Sequence, residues 1–268
     1  MLKEIGLFGS IDKVERAMAR LRLHEPPEGY YVAFSGGKDS CVILDLCKRA
    51  GIRYDVHYNI TTVDPPELIW FIQSAYPEAW QGRNHPAKTM WQLIPEKRMP
   101  PTRTVRYCCQ ILKEYSGRGR VVVTGIRHAE SSKRANRKLV ETCVRHRDKG
   151  YLHPIIDWSD AEVWEYIHAY HVPYCSLYDE GFRRLGCVMC PYQGAHGMMR
   201  DAKRWPIIAH DYELAFQRMI DKRLQDGYKT DWKTGAEVMN WWTSNDHRVK
   251  ENDAQITLFG LRLDEAAV

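Results

Sequence analysis

A chain of 268 residues with 44% apolar and 27% charged residues has an ordinary globular composition and can bury a core, as one large α/β domain or a domain with an appendage. Its net charge of +5 permits a nucleotide or nucleic-acid partner without demanding one. The apolar runs are too short to span a bilayer, no repeat or low-complexity tract is present, and the charged start "MLKEIGLFGSIDKVERAMARL" is unlike a signal peptide. The expected setting is the cytoplasm with no membrane partner, so the eight cysteines read as thiols or metal ligands rather than as a disulfide framework.

Residues 1–27 read as an N-terminal helical segment. "YYVAF", from Tyr30, is a short strand. Val42, Ile43, Leu46 and Cys47 then mark the buried face of a helix over 40–50, which Gly51 stops. "IRYDVHYNI" alternates as a second strand, and Asp64-Pro65-Pro66-Glu67 opens a helix with body "LIWFIQSAY". Residues 77–104 read as a long irregular stretch. "RYCCQILKEY" has helical spacing, "GRGRVVVTGIR" is the clearest strand, and "YLHPII" is a shorter one. "SDAEVWEYIHAY" opens with a capping box from Ser159 to Glu162. Strands alternating with helices in this way predict an α/β fold, a Rossmann-like parallel sheet flanked by helices. From residue 195 to 268 the pattern is helical, with no further strand, and reads as a C-terminal extension of a domain at 28–194. Its Trp205, Tyr212, Phe216, Met219, Trp241 and Trp242 fall at helical spacings suited to docking that extension.

The junction "SGGKDS", Ser35 to Ser40, lies between the first strand and its helix. A glycine-rich turn there lets backbone N–H groups and a helix N-terminus converge on an oxyanion. Gly36 and Gly37 permit close approach, Lys38 neutralises phosphate charge, and the Ser35 and Ser40 hydroxyls can donate. The mononucleotide pattern G-x-x-x-x-G-K-[ST] fails, because Val32 holds its first glycine position and Asp39 follows the lysine; the G-x-G-x-x-G pattern fails too.

"SGGKDS" instead resembles the pyrophosphate loop (PP-loop) of the adenine nucleotide α-hydrolases, which cleave ATP between the α and β phosphates. Further stretches resemble the phosphoadenosine phosphosulfate (PAPS) reductase family of that superfamily. They are "RYCCQILKE", "VTGIRHAESSKRA", "HPIIDWSDAEVWEYI" and "VPYCSLYDEGFRRLGCVMCP", and they occur in the family's order over roughly residues 28–194. The resemblance implies adenine-nucleotide binding through the loop and through the T-G-x-R segment that carries Gly125 and Arg127.

Cys108 and Cys109 are adjacent, and Cys187-x-x-Cys190 forms a second pair between Gly186 and Pro191. A CxxC turn faces two thiolates toward one centre, whereas adjacent cysteines on a helix splay apart. Splayed thiolates suit different irons of one cluster better than a single zinc ion. The CC…CxxC pattern resembles the ligand set of [4Fe–4S] adenylyl-sulfate reductases and related sulfur-transfer enzymes. A structural zinc site, or four separate buried thiols, are the plainer readings. Cys41 and Cys47 read as small core residues; Cys143 and Cys175 read as structural, with a persulfide-carrying role as the alternative.

The family's reductases carry their nucleophile in a C-terminal cysteine motif. Here the last cysteine is Cys190 and the end reads "ITLFGLRLDEAAV". The expectation is therefore the ATP half of the chemistry: binding of ATP and Mg²⁺, cleavage at the α phosphate, and sulfur transfer to a tRNA, a DNA or a small acceptor. The resemblance further implies a sulfur-donor protein such as a cysteine desulfurase. Lys38, Asp39 and Arg127 are the expected catalytic residues, Asp39 helping to hold Mg²⁺ and Arg127, with Arg134 or Arg137, closing over the nucleotide. A sulfonucleotide reductase using an external thiol is one alternative. A non-catalytic nucleotide- or nucleic-acid-binding subunit is the other, supported by the basic run Arg127, Lys133, Arg134, Arg137, Lys138, Arg145, Arg147 and Lys149.

Overall fold

The computed structural model describes residues 2–6, 9–143 and 148–244. Arg145 and Arg147 of the basic run and the tail containing "ITLFGLRLDEAAV" lie outside the described residues. In chain order the elements are β1 (Lys3–Gly6), β2 (Gly9–Asp12), α1 (Lys13–Leu23), β3 (Tyr30–Phe34), α2 (Lys38–Ala50), β4 (Tyr54–Tyr58), α3 (Pro66–Ala75) and α4 (Pro77–Gln81). They continue as α5 (Met90–Lys97), α6 (Tyr107–Leu112), β5 (Val121–Val123), α7 (Ser132–Ala135), β6 (Val140–Thr142), β7 (Gly150–Leu152), α8 (Asp160–Ala169), α9 (Gly194–Arg204), α10 (Pro206–Gln225) and α11 (Gly235–Thr243).

The described residues form two compact units. One is drawn from Met1–Asn59, Pro66–His85 and Tyr115–Leu185, the other from Ile60–Pro65, Pro86–Glu114 and Gly186–Val268. The first unit holds a five-stranded sheet in the order β4-β3-β5-β7-β6. β4, β3, β5 and β7 run parallel, and β6 returns antiparallel along β7 at the edge. The sheet is thus parallel-dominated but mixed. Three-residue β6 alternates exposed and half-buried positions and gave no strand signal by length. β3 is an apolar run because it is central, and Val32, Val122, Val123 and Leu152 of the sheet are buried with Ile43 and Leu46 of α2. Helices α1 and α8 pack on α2, and α4 packs on β4.

Local chemistry explains the ends of these elements. Gly51 takes φ 68° and stops α2 in the left-handed region, as expected. At α8 the Ser159 hydroxyl accepts the Glu162 N–H at 3.2 Å while Glu162 Oε2 accepts the Ser159 N–H at 2.7 Å. The N-terminal segment differs from the helical expectation: β1 and β2 pair as a hairpin before α1, and Asp12 caps α1 by accepting from Val14 and Glu15 at 2.9 and 3.2 Å.

The second unit contains α5, α6, α9, α10 and α11, with α10 packed on α5, α9 and α11. Its core is aromatic. Tyr212 meets Trp91 at 5.0 Å and Trp242 at 4.8 Å between ring centroids, and Phe216 meets Trp242 at 5.1 Å. The stretch 77–104 is not irregular throughout, since α4 and α5 lie within it. Thr89 and Gln92 form a capping box that starts α5, and Pro95 inside the helix masks it in the sequence. No helix among the described residues is long and apolar enough to cross a membrane.

Candidate functional site

The carboxyl ends of β3 and β5 carry the loop residues, and α2 begins directly after the glycines. Gly36 takes φ 72°, and a Cβ there would stand 2.6 Å from Leu68 and 2.9 Å from Ile72, so only glycine lets the loop lie down on α3. Gly37 caps α2. The Ser40 hydroxyl donates to the Gly37 carbonyl at 2.8 Å, and the Ser35 backbone N–H donates to Ser40 Oγ at 3.2 Å. Ser35 Oγ is also 3.2 Å from Ser40 Oγ. These two hydroxyls brace the turn from within, leaving the α2 N-terminus facing a cleft.

That cleft has a volume of about 610 Å³ and is lined by Ser35, Gly37, Lys38, Asp39, Ser40, Thr124, Gly125, Arg127, Glu130, Arg134, Asp160, Tyr178, Arg183 and Arg184 among others. Its size falls in the range of small-ligand sites. Lys38 and Arg127 are 5% and 2% exposed, so both cations are sunk into its wall. Lys38 Nζ lies 3.0 Å from Asp160 Oδ1 and 3.6 Å from Asp39 Oδ2. Arg127 donates from Nε to Asp39 Oδ1 at 2.7 Å, from Nη2 to Asp160 Oδ1 at 3.0 Å, and from Nη1 to the Trp158 carbonyl at 3.3 Å. Two buried cations and two carboxylates thus alternate around the helix start. Burial pulls the Asp160 carboxyl upward, but hydrogen bonds and charge from Lys38 and Arg127 outweigh it and hold it below the usual range.

Three features of this site had weak sequence signals. Asp160 was legible only as the first residue of a capped helix. Tyr178 accepts the Lys38 backbone N–H at 2.9 Å, and burial pushes its phenol up, so it keeps its proton. Arg183 and Arg184 line the cleft from the segment after Tyr178. Of the expected closing arginines, Arg134 lines the cleft and pairs with Glu130. Arg137 does not line it: its Nε is 2.6 Å from Glu141 Oε2, and its Nη2 meets His153.

Gly125 supplies the close approach. A Cβ on it would lie 2.8 Å from Asp39 Cβ and 2.9 Å from the Asp39 carbonyl oxygen. The backbone cannot yield without displacing the first turn of α2. Gly125→Ala is expected to cost about 1–3 kcal/mol of stability and to weaken nucleotide binding together. Thermal unfolding and equilibrium binding check this, and an unchanged variant in both would remove the contact from the account.

The basic run faces inward over much of its described length. Arg127 and Lys149 are buried, and Arg134 and Arg137 are half-buried in ion pairs with Glu130 and Glu141. Lys133 and Lys138 are exposed.

Acid stability follows from the same unit. Burial first, and Arg137 next, lower the His153 imidazolium from 6.5 to about 4. The folded chain therefore resists a proton that the unfolded chain accepts, so this contribution is complete above pH 6.5 and is lost as pH falls toward 4. Asp157 and Glu162, held down by Arg20 and by Lys13 against the opposing pull of burial, act with the same sign below their usual 3.8 and 4.5. The melting temperature is expected to begin falling below about pH 6.5, ahead of the carboxylates. A flat profile from pH 6.5 to 5 would contradict it.

In the second unit, Cys108, Cys109, Cys187 and Cys190 are all half-buried and influence one another electrostatically. Cys108 and Cys109 lie on α6, and the Cys190 N–H donates to the Cys187 carbonyl at 3.3 Å to close the CxxC turn. Within it Met189 takes φ 56°. A hydrogen bond from Cys108 favours the Cys109 thiolate, as do Lys113 and Arg106, whose Nη2 is 3.3 Å from Cys109 Sγ. Lys113, which sequence reasoning missed, is in turn held charged chiefly by Cys187 and also by Asp64. Among the described residues, no three His, Cys, Asp or Glu side chains are arranged to hold a single metal ion. Cys41, Cys47 and Cys175 are buried, and Cys143 is half-buried.

A glycine turn, a helix N-terminus and buried cations at the carboxyl edge of a parallel-dominated sheet define a nucleotide-binding α/β protein of the PP-loop class. The phosphoadenosine phosphosulfate reductase domain profile matches residues 29–193, and the chain belongs to that family. An uncharacterised protein of Methanocaldococcus jannaschii is 30% identical over 218 residues, covering 74% of this chain and 48% of its own length. A second from the same organism is 29% identical over 208 residues, 71% of this chain and 42% of its own, so the chain spans under half of these two relatives. The adenosine 5′-phosphosulfate reductase of Bacillus anthracis is 28% identical over 193 residues, 65% of this chain and 80% of that protein. Among solved structures, the phosphate complex of the phosphoadenylyl-sulfate reductase of Candida auris superposes with TM-score 0.50 at 18% identity, over 64% of this chain and 87% of that one, a likeness of fold.

Proposed function

We propose that the chain is a PP-loop enzyme that binds ATP with Mg²⁺ in the cleft and cleaves it at the α phosphate, in the service of sulfur transfer. The observation that carries this reading is the pair of buried cations, Lys38 and Arg127, held by Asp39 and Asp160 at the N-terminus of α2. An acceptor oxygen attacks the α phosphorus, its bond to the bridging oxygen breaks, and pyrophosphate leaves. The adenylylated acceptor then carries AMP as a leaving group that a sulfur nucleophile displaces. Lys38 and Arg127 stabilise charge on the phosphates, and the positive end of the α2 dipole faces them.

Asp39 and Asp160 are the residues that would hold Mg²⁺, since two carboxylates offer more acceptor sites than Lys38 and Arg127 occupy; bound there, the ion would neutralise phosphate charge. Cys108, Cys109, Cys187 and Cys190 are the residues that would hold a [4Fe–4S] cluster, which would put the chain in the iron–sulfur branch of the family. The fit lies in the chemistry of the donor set: four thiols within electrostatic reach of one another, with Lys113 and Arg106 favouring the Cys109 thiolate, while the hydrogen bond to Cys109 holds Cys108 as a thiol and burial pushes the Cys187 thiol up. A cluster gives each thiolate its own iron and asks for a wider set than one zinc ion does. Such a cluster supplies a structural or redox centre when bound.

The sulfur acceptor in this reading is a tRNA, a DNA or a small molecule, and the donor a protein such as a cysteine desulfurase, in the cytoplasm. The modular layout proposed with it, a core at 28–194 followed by a helical extension, follows the profile's span of 29–193 along the chain, whereas in the folded chain Ile60–Pro65 and Pro86–Glu114 pack in the same unit as the C-terminal helices. Incubation with α-labelled ATP and Mg²⁺ is expected to yield AMP or an adenylylated acceptor. ADP alone, or no binding, would defeat the reading. The Bacillus anthracis relative favours one alternative, reduction of a sulfonucleotide by an external thiol; sulfite released from adenylyl sulfate in the presence of a thiol would establish it instead.

A further inference from the structure

His153 is 0% exposed, one strand away from the cleft, and no part of the chemistry above uses it. Its backbone N–H donates to the Leu139 carbonyl at 2.9 Å, so the ring's place is set by the β6–β7 edge. On one side, Nδ1 lies 2.7 Å from Thr124 Oγ1. On the other, Nε2 lies 3.2 Å from Arg137 Nη2 and 3.9 Å from Glu141 Oε2.

These distances determine where the ring proton sits. A guanidinium can only donate, so Nε2 accepts from Arg137 and is bare. The Glu141 oxygen is too far to take a proton from Nε2, and it holds Arg137 in place with a 2.6 Å contact to Nε. The ring proton is therefore on Nδ1 and is donated to Thr124 Oγ1. With its oxygen accepting from the histidine, the Thr124 hydroxyl has its own proton to give. Thr124 stands at the end of β5 and lines the cleft, and among the described residues its hydroxyl has no other hydrogen-bond partner.

We propose that His153 is a positioning residue that acts through Thr124: the Arg137–His153 pair commits the Thr124 hydroxyl to donate into the cleft, to an acceptor atom of the bound nucleotide. The inference rests on the nucleotide reading above. Burial, with Arg137 and Arg134 opposed by Glu141, keeps the ring neutral through the physiological range, so the direction of the hydroxyl does not change there. Tyr151 flanks the imidazole at 6.1 Å between centroids and adds no charge.

Two measurements test it. The first reads the tautomer directly, by ¹⁵N NMR of imidazole-labelled full-length protein without nucleotide. Nδ1 protonated and Nε2 bare from pH 6 to 8 is expected; protonation at Nε2 overturns the proposal whatever the chain binds. The second compares ATP and AMP affinity of Thr124→Val and Thr124→Ser with the unsubstituted chain, well below each melting temperature. Thr124→Val is expected to lose about tenfold in affinity and Thr124→Ser to restore most of it. Equal affinity for Thr124→Val would overturn the proposal while leaving the nucleotide reading intact. Failure of the unsubstituted chain to bind either nucleotide would strike the nucleotide reading itself, and the relay with it.

Discussion

Lys38→Ala is expected to lower AMP formation from α-labelled ATP by about 100-fold or more, with little change in melting temperature. Lys38 is 5% exposed, so water cannot replace its charge at the phosphates as it could at a surface lysine. Its carboxylate partners are better hydrated: the side chains of Asp39 and Asp160 are 24% and 63% exposed. Removing the lysine therefore leaves groups that water can satisfy, and the fold bears little of the loss. Asp160→Asn should also lower turnover, because it removes one of the two carboxylates that would hold Mg²⁺ while leaving Lys38 and Arg127 in place. A Lys38→Ala chain that formed AMP at the unsubstituted rate would take the cleft out of the chemistry.

The second large effect is expected at the cysteines. Anaerobically purified protein should be brown and contain about four irons per chain, and Cys108→Ser or Cys187→Ser should each bleach it and bring iron to background. The two substitutions lie in separate segments of the second unit, on α6 and at the CxxC turn, so a shared loss reports a shared centre. Lys113→Ala should leave the iron bound and destabilise its thiolate environment, seen as faster loss of colour in air. Colourless protein with stoichiometric zinc in the unsubstituted chain would replace the cluster with a structural ion.

Much of this site is a local property of the chain. "SGGKDS" lies where a short continuous apolar run gives way to apolar residues at helical spacing, and that change places a glycine turn at a helix N-terminus. The Ser159–Glu162 capping box and the stop at Gly51 are likewise local, since side chain and backbone partners lie within three or four residues. β6 and α5 were not legible. β6 is three residues long and exists by pairing with β7, and the helical period of α5 is interrupted by Pro95.

The amino-acid sequence alone set the loop, the order of β3, α2, β4, α3 and β5 and the positions of the four cysteines, because turn chemistry and side-chain period act over a few residues. Only the tertiary structure decided which distant groups meet: Asp160 and Arg127 with Lys38 and Asp39, Tyr178 with the Lys38 backbone, Lys113 with Cys187. It also turned Arg137 away from the cleft toward Glu141 and His153. The reason is that a charge's partner is chosen by distance and desolvation in the folded chain, and neither is written in the spacing of residues along it.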